Sequence, residues 1–406
     1  MRQQLIIIGG GAAGMMAALT AAENGISVTL LEKNERLGKK LAATGNGRCN
    51  IANSKLDCSF FRGADPSFVR PALEAFGLDK TIEFFRRIGV VIREDEEGKL
   101  YPMSNQASSV VDCLRFALDN AGVKVRTGFC AEQIRREKQG FSIIGNGEEL
   151  SCCRLIVTAG GEAAPALGGS DGGYKLLEML GHHSTSRYPS LVQLKTDNTY
   201  PKALQGLKLD AVVSLEVSGK CREKGTGELL FTQYGVSGPA AFAVSRSAAL
   251  ALAAKKPASL LLDLLPELNE DQLLYLLRQR QHNCAYLTLE NFFAGLIHKK
   301  LGIMIFRYCG MQPLSRSCGE LSFDQLRQVA AAVKNFRLPL KGTTGFANAQ
   351  VTAGGIKTSE VYPQTLASHL VPGLYLAGEI LDIDGLCGGY NLQWAWSSGH
   401  LAAQLL

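Results

Sequence analysis

The sequence predicts an α/β protein whose main parallel sheet is assembled from both ends of the chain. An antiparallel β module and then a helical module are inserted between those ends. Three observations predict this. Residues 4–31 read as strand, glycine turn, helix and strand. Residues 373–379 read as another strand of the same kind, ending on Gly378-Glu379. Between 189 and 341 the pattern changes, first to alternating runs and then to helical periodicity.

Residues 4–8 form an Ile-rich apolar run too brief for a helix, which reads as a buried parallel strand. Gly9, Gly11 and Gly14 then hold the fixed places of a Gly-x-Gly-x-x-Gly. Gly9 lets the chain turn sharply, and Gly11 lets a pyrophosphate approach the backbone. Gly14 lets the following helix lie close to the sheet. The N–H groups at that helix start, Ala13 among them, face the phosphates with the positive end of the helix dipole. Asn24-Gly25 stops the helix, and residues 27–31 form the second strand, closed by Glu32. A carboxylate there accepts hydrogen bonds from ribose hydroxyls and disfavours a 2′-phosphate, which leaves FAD or NAD.

Residues 33–40 are a basic loop, with Lys33 and Lys40 placed toward the cofactor. In residues 44–50, Gly45 and Gly47 flank Asn46, and Arg48, Cys49 and Asn50 follow. This reads as a second loop that contacts phosphate or flavin. Helices are expected over 71–88 and 108–120, and strands over 89–92, 99–102 and 123–126. A hairpin is expected around Asn146-Gly147. The backbone of Cys130 and Ala131 is expected beside the adenine. Thr158, Ala159 and Gly160 end a buried strand and let the chain pass over a nucleotide. Asp171 stands where it can cap the helix at 174–180.

From residue 191, four alternating runs precede an Ala-rich helix at 240–254 and a strand at 260–264. Asn269 with Gln272, and Ser322 with Gln325, have capping-box spacing. Helices are expected over 273–281, 289–308 and 323–336. The parallel pattern returns after Gly342. Glu379, at a late strand end, suits a ribitol hydroxyl. Gly389, Tyr390 and Asn391 open the last helix, with Asn391 as its N-cap. Such a helix start suits the negative charge that collects on a reduced flavin. An NAD enzyme needs neither feature, so the split domain is expected to be a Rossmann-type FAD-binding domain.

Composition narrows the function class. The chain has 406 residues, 46% of them hydrophobic, and a formal net charge of +6. Its Lys and Arg form no dense run, which argues against a nucleic-acid partner. The eleven Cys include no Cys-x-x-Cys, and no apolar stretch is long enough to span a bilayer. A reducing, cytoplasmic location is expected, with no membrane association and no metal site.

Residues 44–50, 230–239 and 351–355 resemble the signatures of one family, as do 377–385 and 388–399. This is the BaiN-like family of NAD(P)/FAD-dependent oxidoreductases, also labelled the aminoacetone oxidase family. The resemblance covers essentially the whole chain. The family loop carries Gly where this chain has Asn46. The resemblance implies FAD, a split FAD domain, an inserted β-barrel-like domain and a helical domain. The boundaries that follow are 1–188 with 342–406, 189–266 and 267–341. One branch is similar to reductases of unsaturated keto-steroids.

The expected activity is therefore NAD(P)H-driven hydride transfer through flavin to an enone-like small molecule. A flavin oxidase of an amine or alcohol, releasing peroxide, and an RNA-modifying flavoprotein are the alternatives. Tyr234, Tyr390 and Cys49 lie in motif loops and could donate a proton, although each also suits simple packing. No catalytic residue is assigned from sequence.

Overall fold

The computed structural model describes residues 3–197, 199–404 and 406. The chain forms two compact units, residues 1–188 with 349–406 and residues 189–348.

In the first unit, parallel strands lie in the order Lys124–Arg126, Val28–Leu31, Gln3–Ile8, Glu148–Val157 and Leu374–Leu376. The first strand of the chain is thus central. Leu5, Ile6 and Ile7 are fully buried, as a strand covered on both faces requires. Leu374–Leu376 arrives from the far end of the sequence and pairs with Leu155, Ile156 and Val157. The earlier half of Glu148–Val157 pairs instead with Gly140–Gly145, which pairs with Ala131–Glu137. Asn146 and Gly147 both have positive φ, as a two-residue hairpin turn demands.

The helix Ala12–Glu23 is buried from Ala13 to Ala21, so it shows no polar face. The last helix, Tyr390–Gln404, packs on it. A Cβ at Gly399 would stand 2.3 Å from the Ala13 carbonyl oxygen, so glycine is what permits this approach. Thr20 Oγ1 lies 3.0 Å from His400 Nδ1 and joins the same two helices. The expected helix over 71–88 is broken at Gly77 into Arg70–Ala75 and Leu78–Arg87.

The second unit is a closed barrel. Its strands run in the order Leu194–Thr196, Gly235–Ser237, Lys220–Thr232, Lys208–Val217, Ala258–Asp263 and Phe336–Thr343, and the last pairs with the first. The Ala-rich helix Pro239–Ala253 packs against these strands. Gly225 lets it approach, since a Cβ there would lie 2.3 Å from the Ala240 carbonyl oxygen. Both capping boxes, at Asn269 and Ser322, form as expected.

The boundaries at 266 and 341 need correction. The helices over 270–334 lie between two barrel strands, and helices and barrel bury their apolar side chains in one cluster. Phe336–Thr343 alternates buried and exposed residues because it closes the barrel. Residues 342–348 therefore belong to the second unit, and the helical segment is no separate body. The expected helix over 289–308 is a short turn at Leu289–Asn291 and a helix at Lys299–Tyr308.

Candidate cofactor site

The glycine turn sorts its own residues. Gly9 has φ +109°, and a Cβ there would lie 2.5 Å from the Thr158 carbonyl oxygen. A Cβ on Gly14 would lie 1.8 Å from the Gly9 carbonyl oxygen. Protein contacts alone forbid side chains at both places. Gly11 differs. Its φ is −81°, and a Cβ built there meets nothing within 4 Å. The fold does not require glycine at 11; the requirement is for free space. That space lies at the start of the Ala12–Glu23 helix, whose N-terminus has no side-chain cap.

Glu32 is buried against the turn. Its Oε2 accepts from the Gly10 N–H at 2.8 Å, and its Oε1 accepts from the Asn34 N–H at 2.8 Å and Nδ2 at 2.5 Å. Thr158 Oγ1 lies 3.0 Å from the Ile8 carbonyl oxygen and 2.8 Å from that of Gly9, fastening the next strand end to the same turn. Gly160, two residues on, has φ +73° and open space where a Cβ would stand.

The far end of the chain joins here. A Cβ on Gly378 would lie 2.9 Å from Ala13 Cβ. Gly378 is held by Ser398 Oγ, which accepts its N–H at 3.0 Å, and by Trp394 Nε1, which donates to its carbonyl at 3.1 Å. Glu379 Oε2 pairs with Lys40 Nζ at 2.6 Å, and Glu379 Oε1 accepts the Thr352 N–H at 2.9 Å. A Cβ at Gly161 would strike Thr352 Oγ1 and Glu379 Oε1. Residues near 40, 160, 352 and 379 thus converge.

The 44–50 loop is built from left-handed residues. Gly45, Asn46, Gly47 and Cys49 all have positive φ. Asn is a side chain that tolerates this conformation, which accounts for Asn46 standing where a glycine is otherwise suited. Asn46 is exposed and does not crowd the loop. Asn50 Oδ1 is buried without a hydrogen-bond partner, and a Cβ on Gly389 would stand 2.8 Å from it. Asn53 Nδ2 donates to the Gly388 carbonyl at 2.9 Å, and Trp396 Nε1 donates to the Ile51 carbonyl at 3.0 Å. Both ends of the chain therefore meet at this second place as well.

Several expected contacts are engaged within the protein. The Cys130 N–H donates to Asn146 Oδ1, and Ala131 pairs with Gly145, so both backbones serve the hairpin sheet. Lys33 Nζ donates to Ser170 Oγ. The Arg48 guanidinium lies 4.7 Å from the Tyr101 ring centre, and its Nε donates to the Gly45 carbonyl. Asn391 is not the N-cap, because the helix begins at Tyr390. Its amide instead accepts the Gly385 N–H and donates to the Gly385 carbonyl. Asp171 makes no cap bond and pairs with Lys175 at 2.7 Å. Cys49 is fully buried, which pushes its thiol up to about 12 and keeps it protonated. The Tyr390 ring stacks on Phe60 at 4.6 Å, and burial raises its phenol. In the second unit, the Tyr234 hydroxyl donates to Gln193 Oε1.

Sequence reasoning missed Asn34, Asn53, Thr352, Trp394 and Ser398. Asn34 follows two residues after Glu32, a spacing that suits a local Asx hydrogen bond. Thr352, Trp394 and Ser398 lie within the family-like stretches 351–355 and 388–399, but their partners, like that of Asn53, emerge only on folding.

The donor set fits FAD. An uncapped helix start with open space beside Gly11 suits a pyrophosphate. A carboxylate at the second strand end suits a ribose. Lys40 and Glu379 provide a balanced pair of charges close to the same helix start.

The HI0933-like protein Rossmann domain model matches residues 3–405. The 3-dehydro-bile acid delta(4,6)-reductase of Clostridium scindens is 39% identical over 402 residues, covering 98% of this chain and 97% of that protein. The ribosomal RNA dihydrouridine synthase of Escherichia coli is 30% identical, covering 99% of this chain and 98% of that protein. The solved structure of 3-ketosteroid delta1-dehydrogenase from Sterolibacterium denitrificans superposes with a TM-score of 0.51 at 14% identity, covering 98% of each chain. That last likeness concerns the fold alone. Among the described residues, no helix is long and apolar enough to cross a membrane.

Proposed function

The chain belongs to the HI0933-like family and is an FAD-dependent oxidoreductase, and from that premise we propose that it reduces a carbon–carbon double bond conjugated to a carbonyl, with NAD(P)H as electron donor. The observation that carries the reading is the likeness, along the whole chain, to a reductase whose named substrate is such a compound. The reaction adds a hydride and a proton across the double bond while NAD(P)H becomes NAD(P)⁺. Bound FAD supplies the two-electron redox chemistry.

The chain's residues bind and orient. Gly9, Gly11, Ala13 and Gly14 receive the pyrophosphate, and Glu32 receives the adenosine ribose. Thr158, Ala159 and Gly160 line the strand end beside them. Gly378 and Glu379, with Lys40, hold the middle of the cofactor. The 45–50 loop and Gly389 frame the ring end. Cys49 and Tyr390 carry their protons at neutral pH, which rules out a standing thiolate or phenolate near that end.

Anaerobic stopped-flow tests the reading. NADH or NADPH should bleach the flavin absorbance, and a steroidal dienone should restore it. Absence of bleaching with either donor would remove the nicotinamide step. Steady peroxide release from an amine or alcohol, without nicotinamide, would favour an oxidase instead.

A second reading uses the same chemistry. The ring double bond of uridine is also conjugated to a carbonyl, so forming dihydrouridine is the same reduction on a different carrier. Relatives named for that activity, matching along the whole chain, support it. Mass spectrometry of ribosomal RNA from cells lacking this chain would show loss of a dihydrouridine. An unchanged RNA would exclude this reading.

A further inference from the structure

We propose that the side-chain carbonyl of Asn50 accepts the N3–H of the flavin ring and so sets the pyrimidine edge of that ring against the 44–50 loop. The inference rests on FAD as the cofactor and not on the nature of the substrate. Asn50 stands between Cys49 and Ile51, both fully buried. The backbone on either side is fixed. The Cys49 N–H donates to the Thr44 carbonyl at 3.0 Å, and the Ile51 N–H donates to the Leu100 carbonyl at 2.8 Å. Trp396 Nε1 donates to the Ile51 carbonyl at 3.0 Å. This clamp leaves Asn50 Oδ1 beside Gly389, where the last helix begins. A Cβ on Gly389 would lie 2.5 Å from the Ala52 carbonyl oxygen and 2.8 Å from Asn50 Oδ1, so glycine keeps that place clear of a side chain.

Asn50 Oδ1 is buried and has no hydrogen-bond partner. An amide oxygen in that position has lost its water and gained no bond in exchange, which calls for a reason. The donors around it are committed elsewhere. Asn53 Nδ2 donates to the Gly388 carbonyl, Trp396 Nε1 to that of Ile51, and Arg48 Nε to that of Gly45. The Arg48 guanidinium is turned to the Tyr101 ring. What is missing is a donor, and the chain does not supply it. Asn50 as a residue is half-buried, so a bound group can reach its amide. The oxidised flavin ring carries a single N–H, at N3, flanked by two carbonyls that only accept. One orphan acceptor at the ring end thus matches the one donor that the ring has.

The test titrates full-length apoprotein with FAD and with FAD methylated at N3, which keeps the ring and loses the donor. Flavin absorbance and fluorescence read the binding. The parent should bind the methylated cofactor about tenfold or more weakly than FAD. Asn50→Ala should bind FAD about tenfold more weakly than the parent, and should bind the methylated cofactor no more weakly than FAD. Its apoprotein melting temperature should not fall, because the oxygen removed bonds nothing in the protein. Equal affinity of the parent for the two cofactors would overturn the proposal without any variant; water, or the amide nitrogen turned inward, would then occupy that place. A methyl group that weakens parent and Asn50→Ala alike would report crowding at N3 and would also overturn it. A lower apoprotein melting temperature with unchanged FAD affinity in Asn50→Ala would mark Asn50 as a residue of the fold alone, against the proposal. A parent that takes up neither cofactor would remove FAD itself, and the proposal with it.

Discussion

Glu32 and Glu379 each follow a parallel strand, yet the protein treats them differently. Glu32 is buried, and three N–H groups of the turn and its neighbour point at it. Glu379 is partly wet, accepts one backbone N–H and faces Lys40 across 339 residues of sequence. The first carboxylate shapes the turn. The second joins loops whose positions are already set by Trp394, Ser398 and the sheet. One is part of the architecture that makes the site; the other adjusts charge inside it.

The same contrast runs through the glycines, and the largest expected effect lies there. Gly14→Val would drive a side chain into the Gly9 carbonyl, a backbone group that cannot swing aside. A loss of about 3 kcal/mol or more, or no soluble protein at all, is expected in urea unfolding. Glu32→Ala comes next. It strands the buried Gly10 N–H and should lower apoprotein stability by about 2 kcal/mol. Glu379→Gln should cost less than about 1 kcal/mol, because a partly exposed ion pair contributes little. Equal losses from the two glutamate variants would erase the distinction between them.

An effect that is small at neutral pH and grows in acid concerns how the two chain ends are clasped. Burial holds His400 down at about 4 and also lowers His182. An unfolded chain protonates histidine near pH 6.5. Stability from the neutral His400 ring is thus complete above pH 6.5 and is lost as pH falls toward 4. His400→Leu should flatten the stability profile over that window, leaving the residual slope from His182. A profile identical to that of the parent would show that His400 is not held neutral.

Much of this was legible because it is local. A strand, a glycine turn, a helix and an acid in sequence order make one unit, and both capping boxes need only three-residue spacing. The hairpin at Asn146-Gly147 is local too. What escaped depends on distant partners. Phe336–Thr343 contains Pro339, which weakens its reading as a strand, and its partners lie near residues 195 and 260. Asn391 stands close to a cap position, but Gly385 competes for its amide, and a folded loop decides that competition. Asn53 and Trp396 reach backbone carbonyls more than 300 residues away. No periodicity announces such contacts. Gly11 was legible as a motif place, but only the structure separates it from Gly9 and Gly14 by what surrounds each.

Gly11→Leu, titrated with FAD as purified apoprotein beside the parent, tests most directly whether that open space belongs to the cofactor. The expected result is an unaltered apoprotein melting temperature with FAD affinity reduced a hundredfold or more, by the order of a few kcal/mol at the pyrophosphate. A variant that still takes up one FAD per chain with the affinity of the parent would contradict it.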